Sequence, residues 1–152
     1  MRCKVSKLKI KPFMSFGKMP MANAFLEKKN FKKEFYYKLE VGFCKKNFLF
    51  QVNDHPKSPH IFNNNYPFYT SKSKVMIEHF KKYFLWANKN YLKNNSKVIE
   101  IGCNDGTFLQ NFHKKKIEHI GFEPSVNVAK YARKKGVNVI SKFFNYKNVI
   151  KL

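Results

Sequence analysis

The chain is short of arginine, of acidic residues and of cysteine, and each shortage narrows its possible functions. Only two of its 31 basic residues are arginine, Arg2 and Arg133, although arginine is the usual bidentate partner of phosphate and guanine. Nine Asp and Glu residues leave a formal net charge of +22. The lysines are spread through every segment and accompany abundant Asn, Phe, Ile and Tyr, as A+T-rich coding favours. We therefore interpret the charge as compositional bias and do not expect nucleic acid as a partner.

Long apolar runs are missing as well. No stretch approaches the roughly 20 apolar residues that a membrane-spanning helix requires. The first residues also lack the apolar core of a secretory signal. We therefore expect a cytoplasmic protein without membrane contact. In such a reducing compartment the three cysteines, Cys3, Cys44 and Cys103, are expected to be free thiols.

The remaining composition is sufficient for a folded core, since 43% of the 152 residues are hydrophobic and 17% are aromatic. Residues 1–50 carry short apolar pieces with alternation over 35–41, which is typical of short antiparallel strands. The prolines and asparagines of residues 51–72 indicate a linker. A domain boundary near residue 72 is therefore predicted.

Residues 73–152 have a different periodicity. Apolar residues recur at spacings of three and four after Ser73, which predicts a long helix capped by Ser71 or Ser73. Strands and helices then alternate, with strands predicted at 97–101, 117–122 and 137–140 and helices at 107–115 and 125–135. This order predicts an α/β fold in which βαβαβ units form a parallel sheet.

A turn between the first of these strands and its helix is the most informative motif. Gly102 and Gly106 bound this turn and can adopt positive φ, at the carboxyl end of a strand, where open α/β sheets bind ligands. Glu123 ends the next strand, twenty-one residues after Gly102, where an acidic residue can accept hydrogen bonds from ribose hydroxyls. An ordinary turn and a surface glutamate are the alternatives. Together the two motifs favour a ribose-bearing ligand, whereas Asn104 and Thr107 stand where a dinucleotide fingerprint needs glycine.

The spacing of these residues resembles motif I of class I S-adenosylmethionine-dependent methyltransferases, with Glu100 before the first glycine. Residues 100–109 and 121–129 are similar to sugar C-methyltransferases that carry an N-terminal zinc-binding domain. Residues 16–26 resemble the segment between that family's two cysteine pairs, and residues 66–71 resemble its tyrosine-rich segment.

The resemblance implies a small β-rich module followed by the first βαβαβ half of a Rossmann-like methyltransferase sheet. It also implies S-adenosylmethionine as cofactor and a nucleotide-linked (deoxy)sugar as acceptor. Tyr69 and Ser71 would face the substrate side, and no catalytic residue can be assigned. His113 and His119 match no family motif and are interpreted as surface histidines. The residues that the resemblance assigns to the cofactor are Glu100, Gly102, Asn104, Gly106, Phe122, Glu123 and Pro124.

Two departures from the family pattern matter. Ser6 and Asn47 replace the second cysteine of each Cys-x-x-Cys pair, so that Cys3 and Cys44 alone are left and zinc is not expected. Residues 98–152 also hold only the first part of a methyltransferase sheet. We therefore expect an incomplete methyltransferase domain whose sheet a second chain could complete. A non-catalytic truncated remnant, a cofactor-binding module and a basic nucleic-acid-binding protein are the alternatives.

Overall fold

The computed structural model describes residues 1–22, 25–53, 56 and 58–150 and divides into two compact units. The first unit ends at Ile61 and the second begins at Phe62, so the tyrosine-rich segment belongs to the second unit. The predicted modules, 1–50, 51–72 and 73–152, place the boundary later in the chain. Residues 23 and 24 of the family-like segment 16–26, and residues 54, 55 and 57 of the predicted linker, lie outside the described residues.

The first unit is built on an antiparallel sheet, which confirms the predicted β-rich module. Strands β1 (Pro12–Pro20), β2 (Tyr36–Cys44) and β3 (Leu49–Val52) pair in the order β1-β2-β3. A 3₁₀ helix over Lys28–Lys33 precedes β2, and a short helix, α1 (Ser58–Ile61), follows β3. β2 is therefore the central strand, and it carries Val41 and Cys44, which are both buried.

A buried glutamine joins the N-terminal loop to this sheet. The Gln51 Oε1 atom accepts a hydrogen bond from the backbone N–H of Lys4 at 2.8 Å, and its Nε2 atom donates to the carbonyl of Arg2 at 2.9 Å. Cys3, Val41 and Cys44 are buried beside it. This small core depends on polar contacts as well as apolar area, because few large side chains are buried in it.

The second unit begins with the longest helix, α2 (Lys74–Asn90), at the position that the periodicity predicts. Of the two serines considered as caps, Ser73 is the one whose hydroxyl accepts from the backbone N–H of Met76, at 3.3 Å. Phe84 is buried on this helix. None of the helices in the described part of the chain combines the length and apolar character needed to cross a membrane.

A parallel sheet with two crossover helices follows, as predicted. The elements are β4 (Lys97–Ile101), α3 (Leu109–Lys114), β5 (Glu118–Phe122), α4 (Val126–Lys134), β6 (Val139–Ile140) and α5 (Tyr146–Val149), with sheet order β4-β5-β6. α3 begins two residues later than predicted, where the Thr107 hydroxyl bonds to the Asp105 carboxylate at 2.6 Å. β6 also begins two residues late, because the N–H of Val137 still caps α4 by donating to the carbonyl of Ala132.

The core of this unit lies between the helices and one face of the sheet. Phe112 contacts Phe84 and Phe108 edge to face, with ring centroids 4.8 and 4.9 Å apart. The other buried apolar members of this cluster are Cys103, Leu109, Ala129, Ala132, Val137 and Val139. The aromatic contacts fix α2 against α3 and thereby position the loop that leads into α3.

Strand β4 forms an edge of the sheet in the described part of the chain. Its outer face, which is the face directed away from the helices, is apolar. Val98 and Glu100 are partly buried on the helix side, while Ile99 and Ile101 alternate to the other face and are 56% and 62% exposed. An exposed, apolar edge strand offers unpaired backbone groups to another chain. This surface therefore favours self-association.

We expect the chain to self-associate through β4, even though its charge of +22 opposes association. Sedimentation velocity in 150 mM salt should show an average mass that rises with protein concentration. Replacing Ile99 and Ile101 by lysine should leave a monomer, since charged residues on an edge strand block pairing.

The matched control for this experiment is Val5→Lys, because Val5 is an exposed apolar residue of the first unit. This variant should associate like the parent chain. A parent chain that stays monomeric at every concentration, or a double variant that associates equally, would show that β4 is not the contact surface.

Candidate cofactor site

The loop between β4 and α3 is anchored to the end of β5. The backbone N–H groups of Gly102 and Cys103 both donate to the carbonyl of Phe122, at 2.8 and 3.1 Å. Gly102 has a φ of 75°, and a Cβ atom added there would meet open space, so its glycine is required by backbone conformation. Asn104 also has positive φ, which asparagine tolerates better than most residues. The chain thus turns sharply at the carboxyl end of β4, as the motif predicts.

Glu123 closes this turn from the neighbouring strand. One of its carboxylate oxygens accepts the N–H of Asn104 at 3.1 Å, and the other accepts the N–H of Ser125 at 2.8 Å. A carboxylate oxygen offers two acceptor sites, so each oxygen keeps one for a further donor. Glu123 is therefore held rigidly, with the capacity to accept hydrogen bonds from two adjacent hydroxyl groups.

A cavity of about 400 Å³ lies at this edge of the sheet and collects five of the seven residues assigned to the cofactor. Its walls are formed by Gly102, Asn104, Phe122, Glu123 and Pro124, together with Ile101, Phe62, Tyr66, Phe143 and Phe144. This volume is within the range of small-molecule sites. Apolar and aromatic walls around a single carboxylate suit a ligand with a flat apolar part and neighbouring hydroxyl groups.

Three aromatic walls of the cavity, Phe62, Phe143 and Phe144, are not identified by the motifs. Phe144 packs edge to face on Phe122 with ring centroids 5.1 Å apart, and Phe62 contacts Tyr66 at 5.6 Å. Phe143 meets the Phe62 ring edge to face at 6.4 Å. In the sequence these residues stand out only as aromatic residues before the long helix and after the last strand. They come together because the crossover connections of the parallel sheet bring those two segments to the same place.

Gly106 lies outside the walls of this cavity. It has a φ of 74°, and an added Cβ atom would lie 3.0 Å from side-chain atoms of Ala132 and Val137. Its small size therefore allows the loop to pack closely on α4 and the segment that follows.

Glu100 also lies outside the cavity wall, with its side chain directed to the helix side of β4. Its Oε2 atom is buried and has no hydrogen-bond partner among the described residues. Burial, and then the nearby negative charges of Asp105 and Glu123, raise the pKa of Glu100 to about 7. The carboxyl group is consequently easier to protonate in the folded protein than in the unfolded chain.

Because the pKa of Glu100 is raised, we predict that the free energy of unfolding falls as the pH rises. The folded protein holds the Glu100 proton between the ordinary pKa of 4.5 and about 7, so stability decreases as the pH rises across that range. Glu100→Gln should be the more stable chain at pH 7.5, by up to about 3 kcal/mol, because each pKa unit corresponds to about 1.4 kcal/mol. Urea unfolding at pH 5 and pH 7.5 measures the difference.

Glu118→Gln is the matched control, since Glu118 is an exposed carboxylate at the start of β5. It should retain the pH dependence of the parent chain. An unchanged pH dependence in Glu100→Gln would exclude Glu100 as its source.

Asp105 is fully buried, and the motifs did not identify its role. Its carboxylate accepts the N–H of Ser71 at 3.0 Å and the hydroxyl of Thr107 at 2.6 Å, and it lies 3.6 Å from the ammonium group of Lys135. Burial disfavours the charge, but these hydrogen bonds and Lys135 outweigh it and hold the pKa of Asp105 below its ordinary value. Asp105 thus joins the tyrosine-rich segment, the loop and the end of α4.

The side chain of Asn104 continues this attachment. Its Oδ1 atom accepts from the N–H and the hydroxyl of Thr70, at 2.9 and 3.1 Å, and its Nδ2 atom donates to the carbonyl of Phe68 at 3.1 Å. The Asn127 amide donates to the Tyr69 hydroxyl at 3.0 Å. Tyr69 and Ser71 are therefore anchoring residues in this structure, and neither forms part of the cavity wall.

His113 and His119 lie beside each other, with ring centroids 5.8 Å apart, and neither lines the cavity. His113 is exposed, whereas His119 is partly buried, with Nδ1 2.8 Å from the carbonyl of Ile117. The N–H of Asn138 donates to His119 Nε2 at 3.4 Å. His119 thus has a structural role in joining β5 to the chain before β6.

A second cluster of candidate site residues lies in the first unit, where Cys3, Ser6, Cys44 and Asn47 come together. The N–H of Ser6 donates to Cys3 Sγ at 3.3 Å, and the Ser6 hydroxyl lies 3.4 Å from Cys44 Sγ. The Asn47 side-chain amide lies 3.6 Å from Cys3 Sγ. The fold thus brings together the four positions at which the family that the sequence resembles carries cysteine, but only two of them carry a thiol here. No group of three or more His, Cys, Asp or Glu suited to a metal occurs among the described residues. This donor set does not fit structural zinc.

We expect the purified chain to contain no zinc, and Ser6→Cys with Asn47→Cys to restore one zinc per chain, because the double variant regains four thiolates. Elemental analysis after dialysis measures the metal content. The Ser6→Ala and Asn47→Ala pair is the control and should bind none. One zinc in the parent chain would contradict the expectation.

Comparisons with known protein families agree with the division into two units. Residues 3–62 match the family described as "Putative zinc binding domain", and residues 84–147 match the family described as "Methionine biosynthesis protein MetW". A C-methyltransferase of Streptomyces niveus, NovU, is 27% identical over 129 residues, which are 84% of this chain. Most of this chain is thus similar in sequence to a methyltransferase. It spans only 30% of the length of NovU.

Two solved structures are also similar to part of the chain. A SAM-dependent methyltransferase from Archaeoglobus fulgidus is 24% identical with a TM-score of 0.39, and the match covers 51% of this chain and 32% of that one. A SAM-dependent methyltransferase from Thermotoga maritima, described as a possible histamine N-methyltransferase, is 34% identical with a TM-score of 0.33. That match covers 45% of this chain and 31% of the other.

Proposed function

We propose that the second unit binds S-adenosylmethionine and belongs to a methyltransferase that acts on a nucleotide-linked sugar. The observation that carries this proposal is the cavity at the carboxyl ends of β4 and β5, where Glu123 lies among aromatic walls. The sequence similarity to a methyltransferase supports S-adenosylmethionine as the cofactor.

The residues present suit an adenosine-containing cofactor. The two free acceptor sites of Glu123 match the adjacent hydroxyl groups of a ribose, and the backbone turn at Gly102 leaves room for close approach. Phe122, Phe144 and Pro124 give the cavity the apolar surface that an adenine ring requires. Asn104 would place its backbone beside the ligand while its side chain holds the tyrosine-rich segment.

The cofactor supplies an activated methyl group on a sulfonium sulfur. Methyl transfer then requires that donor and acceptor be aligned and that the acceptor lose a proton. In this chain Glu123 orients the ligand, and the loop held by Asp105 and Asn104 keeps the cavity walls in place. We assign no proton acceptor among the described residues.

The acceptor is proposed on the resemblance of the motifs to sugar C-methyltransferases. The name of the relative from Streptomyces niveus, a C-methyltransferase, and the match of residues 3–62 to a domain of the type those enzymes carry both agree with it. We also propose that further polypeptide, from the same or a second chain, pairs with β4 in the active enzyme. The apolar outer face of β4 supports this, because Ile99 and Ile101 are otherwise exposed to water.

S-adenosylhomocysteine, the product form of the cofactor, is expected to bind the purified chain saturably in a calorimetric titration. Glu123→Gln should weaken binding by about tenfold or more, because one carboxylate oxygen becomes an amide that cannot accept from a hydroxyl, at a cost of roughly 1.5–3 kcal/mol. Glu118→Gln, at the far end of β5 and exposed, should bind like the parent chain.

Circular dichroism and thermal unfolding of each variant separate loss of binding from loss of fold. No binding by a folded parent chain would contradict the proposed cofactor site. If binding is present, incubation with methyl-labelled cofactor and a nucleotide-linked deoxysugar tests the acceptor. Binding without label transfer, even when the part of a homologous methyltransferase that this sequence does not match is added, would contradict the catalytic part of the proposal.

A further inference from the structure

The pair of cysteines in the first unit has a geometry that suits chemistry other than zinc binding. Both Cys3 and Cys44 are fully or almost fully buried, and both sulfur atoms contact the same residue, Ser6. The Cys3 and Cys44 side chains also interact directly with each other, which places the two thiols side by side.

We propose that Cys3 and Cys44 form a reversible disulfide by thiol–disulfide exchange with a low-molecular-weight disulfide such as glutathione disulfide. Cys3 is the attacking residue and Cys44 the resolving residue. This inference concerns the first unit alone and is independent of the proposed cofactor site.

The surroundings of Cys3 favour its role as the attacking thiol. Its sulfur accepts a hydrogen bond from the N–H of Ser6 at 3.3 Å, and such a bond favours the thiolate. Cys3 also lines an open cavity of about 590 Å³ whose charged side chains are all cationic, namely Arg2, Lys4, Lys7 and Lys9. An anionic disulfide such as glutathione disulfide is attracted to such a surface.

The reaction balances without a further oxidant. The Cys3 thiolate attacks one sulfur of glutathione disulfide, the S–S bond breaks, and one glutathione thiolate leaves and takes up a proton. Cys44 then loses its proton and attacks the Cys3 sulfur, which expels the second glutathione as its thiol. The two cysteines lose two electrons in total, and the small disulfide gains them.

Access to the buried sulfur requires the loop that carries it to open. The bridge between Arg2 and Lys9 and the backbone hydrogen bonds of Cys3 to Lys7 and Leu8 close this loop, and Gln51 attaches it to β3. Such a short loop opens at lower free energy than the strands of the sheet. Cys44 is fixed at the end of the central strand β2, so the resolving thiol remains in place when the loop moves.

The test uses the reduced full chain, incubated with glutathione disulfide and analysed by intact mass and by peptide mapping without reduction. We expect a product that is two hydrogen atoms lighter, has lost two of its three free thiols, and contains a Cys3–Cys44 peptide pair. Cys103 is the internal control, since burial raises the pKa of this thiol. It should stay reduced.

Two variants separate the roles of the cysteines. Cys44→Ser should stop at a stable adduct of one glutathione on Cys3, and Cys3→Ser should leave Cys44 reduced over the same time. Dithiothreitol should restore three thiols in the parent chain. A lasting glutathione adduct on the parent chain, a disulfide that involves Cys103, or complete absence of reaction in the folded chain would overturn the proposal.

Discussion

A buried carboxylate, Asp105, joins three parts of the second unit that are far apart in sequence. It accepts hydrogen bonds from Ser71 and Thr107 and lies within ion-pair distance of Lys135 at the end of α4. A charged group without exposed surface is stable only when such partners surround it. The partners must therefore assemble together, and the loop after β4, the tyrosine-rich segment and α4 are positioned as one body.

The cavity depends on this arrangement. Asn104 lies next to Asp105, and its side chain bonds to the carbonyl of Phe68 and to the N–H and hydroxyl of Thr70. Its N–H donates to the carboxylate of Glu123. The carboxylate that suits a ribose is thus connected directly to the segment that carries Tyr66 into the cavity wall. Asn104 and Glu123 line the cavity and also hold its walls by hydrogen bonds, which lets the site be rigid before a ligand arrives.

In the first unit the turns keep their positions although two of the four residues at the family's metal-ligand positions are not cysteine. Its turns still bring four family positions together, although Ser6 and Asn47 now stand where zinc would need thiolates. Hydrogen bonds among these side chains, together with Gln51, hold the N-terminal loop against the sheet. Small polar side chains can close a turn by hydrogen bonding, but they cannot supply the negative charge that a structural zinc ion requires.

The sequence by itself determined the order of elements, the parallel βαβαβ unit and the Gly102–Glu123 pair, because apolar periodicity and glycine placement are local properties. It determined less about the ends of the elements. Thr107 is drawn into the turn by Asp105, and Val137 still caps α4. The acceptors, Asp105 and Ala132, lie outside the predicted helix and the predicted strand that these contacts shorten. The apolar periodicity within those elements therefore could not indicate the contacts.

Only the tertiary structure decided which residues line the cavity. Gly102, Glu123 and Pro124 converge with Phe62 and Phe144 because the crossovers bring the ends of β4 and β5 beside the segments before α2 and after β6. Tyr69 and Ser71 anchor the tyrosine-rich segment by hydrogen bonds, and Gly106 packs closely against Ala132 and Val137. A motif fixes the backbone conformation of a loop, whereas the direction of each side chain depends on partners that are distant in sequence.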